Sequence, residues 1–160
     1  MKTLFNASVK ILEYLLIVIF ALLVLDVLFQ VFSRYLLDGG FTFTEEFARF
    51  SLIWMTILGA AYLTAKKEHL SMDFLYEKMS NRGKRRTGLF VEACILLFAL
   101  FVMVIGGSNL VYTTLHLDQL SASLQIPLGY VYSVMPISGI LIIFYAIFHI
   151  HNIITLKEEI

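Results

Sequence analysis

The sequence predicts an all-α integral membrane protein with four transmembrane helices. Three observations carry that expectation. Hydrophobic residues make up 59% of the chain and charged residues 15%, and the mean hydropathy is +0.84, whereas soluble domains hold about 25% charged residues. The apolar residues are gathered into four long runs, each able to supply the ~20 residues that cross a hydrocarbon core about 30 Å thick. The lysines and arginines lie mostly between those runs and are unevenly shared among the gaps. In lipid, only a helix satisfies all of its own backbone groups, so each run reads as a helix.

The first run covers about 9–35. Lys2 and Lys10 precede a greasy stretch, as in a secretory signal, but the stretch is too long for one and no small-x-small cleavage site follows. It is therefore expected to persist as a mature helix. Asp26, Gln30 and Arg34 form a stripe at i, i+4 and i+8 in its second half. Ionisable groups at such depth face protein rather than lipid.

The second run, about 44–65, opens with FTFTEEFARF from Phe41. Thr42 and Glu45 have capping-box spacing, with the hydroxyl and the carboxylate satisfying orphan N–H groups of the first turn. Glu45 and Glu46 also complement the positive end of the helix dipole. Arg49 opposes that dipole and calls for a partner; Glu45 at i−4 and Glu46 at i−3 share its face. These positions suggest an ionic clasp of Arg34, Glu45, Glu46 and Arg49 between the ends of the first two helices, with Asp26 beneath it. The competing reading is a set of separate interfacial charges. Trp54 falls close to the middle of the span, where packing on protein with its N–H bonded is the expectation. Gly59, Ala60 and Ala61 offer a small surface for close helix contact.

Between the second and third runs, Met72, Leu75, Tyr76 and Met79 follow helical spacing, which predicts an interfacial amphipathic helix at about 71–80. His69 and Asp73 are four residues apart there. The basic stretch from Arg82 to Arg86 is placed to meet anionic headgroups. The third run covers about 88–117 and contains Glu92, the lone Cys94 and the pliable Gly106-Gly107-Ser108. The fourth covers about 128–150. Pro127 suits its first turn, and Pro136 should free the Tyr132 carbonyl and mark a kink.

Ten of the twelve basic residues lie before or at the very start of the first run, between the second and third, or after the fourth. By the positive-inside rule the chain is expected to be N-in and C-in. The loops at Phe41 and Asp118 then face outward. A formal net charge of zero predicts no nucleic-acid partner, and one cysteine excludes an intrachain disulfide. The sequence contains no nucleophile–base constellation, phosphate loop or HExxH, so no enzyme activity and no cofactor is expected. His116 lies toward one end, and His69, His149 and His151 toward the other, which argues against a haem anchor of a respiratory enzyme. Glu13 in the first helix raises the alternative of a small four-helix antiporter, but it lies one turn from Lys10 and reads as interfacial.

Arg34, then FTFTEEFARF with Glu45, Glu46 and Arg49, then Trp54 and Gly59, then His69-x-x-x-Asp73, then SASLQIPLGYVYSVMPISG with Pro136 follow one another in an order that resembles the small membrane subunit of TRAP transporters. These are the tripartite ATP-independent periplasmic transporters, and the resemblance spans nearly the whole chain. It implies a scaffold subunit of the bacterial inner membrane. It further implies pairing with a large membrane subunit that carries substrate and sodium sites, and a periplasmic binding protein that delivers an organic acid such as a C4-dicarboxylate or a sialic acid. The acidic and basic cluster, with Asp118, becomes a candidate surface for that binding protein, and membrane lipids are expected around the bundle.

Overall fold

The computed structural model describes residues 2–36, 41–66 and 81–155. The expected amphipathic helix at 71–80, with His69 and Asp73, lies outside the described residues. Four helices long and apolar enough to cross a membrane make up nearly all of the rest, and among the described residues there is no strand beyond an isolated bridge between Leu120 and Pro127.

The first span is α1, Lys2–Leu36, and the second is α2, Thr42–Lys66. The third begins as α3, Asn81–Phe98, passes through a π-helical segment, Ala99–Gly106, and finishes as α4, Gly107–His116. The fourth is interrupted: α5, Leu128–Tyr132, precedes α6, Val134–Thr155. Helices α1 and α3 start about seven residues before the apolar runs that predicted them, because polar residues continue a helix as readily as apolar ones once it emerges from hydrocarbon. The interruption at Ser133 follows from Pro136, which has no N–H for the Tyr132 carbonyl and crowds the preceding turn.

The spans pack in the order first, second, fourth, third. Lipid tails are as apolar as leucine, so close approach and dispersion drive helix association here. Small residues accordingly make the closest approaches, between larger core residues such as Leu58, Ile142 and Tyr145. Ala61, Ala99 and Ala146 are fully buried. A Cβ on Gly139 would lie 2.8 Å from Met103 Cβ in the π segment, and one on Gly107 would lie 3.0 Å from Met135 Cβ and 3.1 Å from Pro136 Cδ. Gly107 therefore allows the third span to press on the fourth where Pro136 has disturbed it. Gly59 behaves differently from its expectation: a Cβ there meets nothing within 4 Å. Within this chain Ala61, two residues on, makes the close contact of that small-residue stretch.

The first span stands at the edge. Apart from Leu12 and Ser33, its described side chains are exposed or half-buried, and large apolar groups such as Ile17, Phe20, Leu25 and Phe32 face outward. Its two ends are held by rings. Phe29 stacks with Phe41 at 6.0 Å near the start of α2, and Phe5 stacks with Phe148 of α6 at 4.2 Å.

Candidate functional site: a carboxylate knot on helix two

The adjacent carboxylates of Glu45 and Glu46 point in different directions, because consecutive helical residues are about 100° apart. Glu45 turns to solvent and pairs with Arg49 one turn on, Oε1 to Nη2 at 3.2 Å, with both side chains about two-thirds exposed. Glu46 turns inward, toward the loop joining the third and fourth spans. Its Oε2 accepts three hydrogen bonds: from Ser121 Oγ at 2.6 Å, from the Leu124 N–H at 2.9 Å and from the Ser123 N–H at 3.0 Å. Charge-assisted bonds of this kind are short and about twice as strong as neutral ones.

The loop is shaped to offer those donors. The Ser121 N–H donates to the Ile126 carbonyl at 2.9 Å and the Leu128 N–H to the Gln119 carbonyl at 2.9 Å, which ties its two limbs together. Asp118 at φ 48° and Gln125 at φ 53° supply the left-handed residues that let the chain reverse at each side. Such a conformation is uncommon outside glycine, and Asp is among the residues that tolerate it best. Ser121 is buried, and its Oγ also receives the Leu124 N–H at 3.2 Å. Thr42 Oγ1 and Ser123 Oγ lie 3.0 Å apart beside the knot.

Two more cross-links continue the attachment of α2 along its length. Trp54 Nε1 donates to the Val131 carbonyl at 3.0 Å, next to the break at Ser133. Ser138 Oγ returns a bond from α6 to the Ile57 carbonyl at 3.1 Å. A side chain of α2 thus serves a backbone carbonyl of α5, and a side chain of α6 serves a backbone carbonyl of α2. Pro136 lies between these two levels, against Gly107 of α4.

The expected four-residue clasp between the first two helices is not the arrangement formed. Arg49 and Glu45 pair within α2, Glu46 bonds the loop, and among the described residues Arg34 makes no ion pair with any of them. Arg34 and Glu45 instead line opposite walls of an open cavity of about 970 Å³, with Gln30 and Thr42. Asp26 is half-buried, and its Oδ2 has no hydrogen-bond partner among the described residues. The capping box is also absent: the Thr42 hydroxyl meets Ser123 and Glu45 meets Arg49, while Thr44 Oγ1 donates to the Phe41 carbonyl at 2.7 Å. In each case an alternative partner won: a loop remote in sequence for Glu46 and Thr42, the next turn of the same helix for Glu45. The sequence reading missed Ser121, Ser138 and the Val131 carbonyl as partners. The small polar run Ser121-Ala122-Ser123 between two spans was the available signal, but nothing in it names Glu46.

The model of the family described as tripartite ATP-independent periplasmic transporters, DctQ component, matches residues 23–156. The chain belongs to that family. A protein of Haemophilus influenzae that carries the provisional name TRAP transporter small permease protein is 30% identical over 142 residues, covering 89% of this chain and 86% of the relative. The sialic acid TRAP transporter small permease protein SiaQ of Vibrio cholerae is 23% identical over 94 residues, 59% of this chain and 54% of the relative. The isethionate TRAP transporter permease protein DctMQ of Oleidesulfovibrio alaskensis is 27% identical over 125 residues, 77% of this chain but 20% of the relative. In that protein a DctQ-like stretch is one part of a much longer permease polypeptide. This DctQ-family chain is thus a multi-pass membrane protein and a small permease subunit, related to transporter components rather than to enzymes. In the DctQ setting, Glu46, Trp54 and Ser138 bond other parts of the same chain.

Proposed function

We propose that this chain is the fixed scaffold subunit of a sodium-coupled TRAP transporter that imports an organic acid across the bacterial inner membrane. The observation that carries the reading is the family match over residues 23–156. Relatives named for sialic acid and isethionate transport support a small organic anion as the substrate class. A large membrane subunit is the partner that holds substrate and sodium, and the long DctMQ relative supports an intimate pairing of the two. A periplasmic binding protein delivers the substrate.

The role assigned to this subunit is to stay rigid while its partner moves. Bonds from Glu46, Trp54 and Ser138 at three levels resist sliding of α2 against the fourth span. Ten basic residues against two support an N-in, C-in orientation. The loop held by Glu46 then faces the periplasm, and Asp118, Glu45 and Arg49 at its side belong to the surface offered to the binding protein. Exposed apolar residues on α1 meet lipid or the large subunit.

The test is reconstitution. Proteoliposomes holding this chain, its large partner and the binding protein should take up the organic anion when a sodium gradient is imposed. Omission of this chain should abolish uptake. Uptake by vesicles that hold this chain alone would refute the scaffold reading.

A further inference from the structure

The fold turns one polar face of the third span away from the rest of the chain. Gly107 and Thr114 are the buried residues of α4, and Gly107 lies against Met135 and Pro136 of the fourth span. Asn109, Tyr112, Thr113 and His116 stand at i, i+3, i+4 and i+7, which puts them together on the opposite side of the helix. All four are exposed, Tyr112 by 67%. The Tyr112 and His116 rings stack at 5.8 Å with their planes 4° apart, which holds both on this stripe. The third span is last in the packing order, so no other described span covers the face.

The stripe begins at the middle of the bundle's depth. Leu115 lies against Gly129 and Gly107 against Pro136, so the antiparallel register sets Asn109 level with the stretch between Val131 and Ser138. The Val131 carbonyl is bonded by Trp54, and Ser138 bonds the Ile57 carbonyl, which places Asn109 level with the turn 54–57 of α2. That turn is roughly 14–22 Å from either end of Thr42–Lys66, at about 1.5 Å per residue. At this level the chain consists of its four spans, all of them described. Among the described residues the Asn109 amide and the Thr113 hydroxyl make no side-chain hydrogen bond.

A side-chain amide offers two donors and two acceptor lone pairs, and against hydrocarbon none of them is satisfied. A lipid-facing helix carries apolar side chains outward, as Phe101, Val102 and Ile105 are carried one to two turns before Asn109 on the same span. Polar side chains at depth instead face protein and bond across to another helix. Resting on the scaffold reading above, we propose that the face of Asn109, Tyr112, Thr113 and His116 is where a transmembrane helix of the large subunit packs, one that presents hydrogen-bonding side chains to Asn109 and Thr113. The long DctMQ relative, in which a DctQ-like stretch is one part of a larger permease chain, supports the large subunit over a second copy of this chain as the occupant.

Replacement of Tyr112 by the photoreactive p-benzoylphenylalanine reports what lies against the stripe. In membranes holding this chain and its large partner, illumination should join the two polypeptides. An adduct with a second copy of this chain only, or no protein adduct, overturns the proposal. Asn109→Leu combined with Thr113→Val removes the polar groups at depth. By itself in lipid nanodiscs this double variant should melt no lower than the wild-type chain, since neither side chain has a partner within it. The large subunit recovered with it should fall about tenfold, the scale of one or two interhelical hydrogen bonds. Undiminished recovery overturns the proposal, and so does a lowered melting temperature of the variant by itself, which would place the role inside this chain. The unmodified chain in the same experiment tests the scaffold reading separately. If no large subunit is recovered with it, that reading and the docking face fall together, whereas undiminished recovery with the double variant removes the docking face alone.

Discussion

The carboxylate of Glu46 and the hydroxyl of Ser121, 75 residues apart in sequence, meet at 2.6 Å. This one bond converts the loop between the third and fourth spans from a free connection into part of α2. Two backbone N–H groups of the loop converge on the same oxygen, so the carboxylate organises the loop backbone as well as anchoring it.

Glu46→Ala should therefore be the most damaging of the charge removals at this end. Hydrogen bonds to a charged acceptor are stronger than neutral ones, and the donors orphaned by its removal add a cost of their own. The expected result is a lower melting temperature of the detergent-solubilised chain and faster amide exchange at Ser123 and Leu124. Glu46→Gln should be intermediate, since a neutral carbonyl oxygen still accepts at the same place. Exchange at Ser123 unchanged in both variants would remove the knot from the argument.

Arg49→Ala should do little to stability by comparison. Its partner Glu45 is one turn away and both side chains are about two-thirds exposed; such i, i+4 pairs contribute about 0.3–0.5 kcal/mol. A melting temperature within experimental error of wild type is expected. Loss of binding-protein-dependent uptake in that stable variant would assign Arg49 to the docking surface.

Trp54→Phe keeps an aromatic ring, smaller than the indole, and removes the N–H that serves the Val131 carbonyl. An unsatisfied buried acceptor costs about 1–3 kcal/mol. The cost should appear as a lower unfolding midpoint and as faster exchange around Ser133, where the helix is already interrupted. Equal loss of protection along the whole of α6 would point to ring packing instead.

Gly139→Ala and Gly59→Ala form a contrasting pair. The new methyl at Gly139 meets Met103 Cβ at 2.8 Å, an atom fixed to the backbone, so the two helices must separate. Overpacking of this kind costs about 1–3 kcal/mol. At Gly59 the methyl enters open space, and Ala is the better helix former by about 0.8–1.0 kcal/mol. The isolated chain should be unaffected or slightly more stable. If Gly59→Ala leaves the chain stable but weakens co-purification with the large subunit, the open face at Gly59 is where that subunit packs.

The four spans were legible because lipid imposes a length and a polarity that can be counted along a chain. Pro136 was legible as a disturbance because a missing N–H acts locally, although the break itself falls at Ser133. Partners were less legible. Arg34, Glu45, Glu46 and Arg49 lie close in sequence and have complementary charges, which suggested a single clasp. Nothing local distinguishes the face of α2 that carries Glu46 from the face that carries Glu45 and Arg49. That distinction depends on where the loop at Ser121 comes to rest, which in turn depends on the packing of the third and fourth spans.

By itself the sequence determined that this chain is a four-helix membrane subunit of the DctQ kind, since hydropathy, helix punctuation and motif order are one-dimensional properties. Only the tertiary structure decided what each polar group binds. Hydrogen bonds such as Glu46 to Ser121, Trp54 to Val131 and Ser138 to Ile57 need atoms within about 3 Å, and proximity of residues 75 to 81 positions apart is created by helix packing rather than by spacing along the chain.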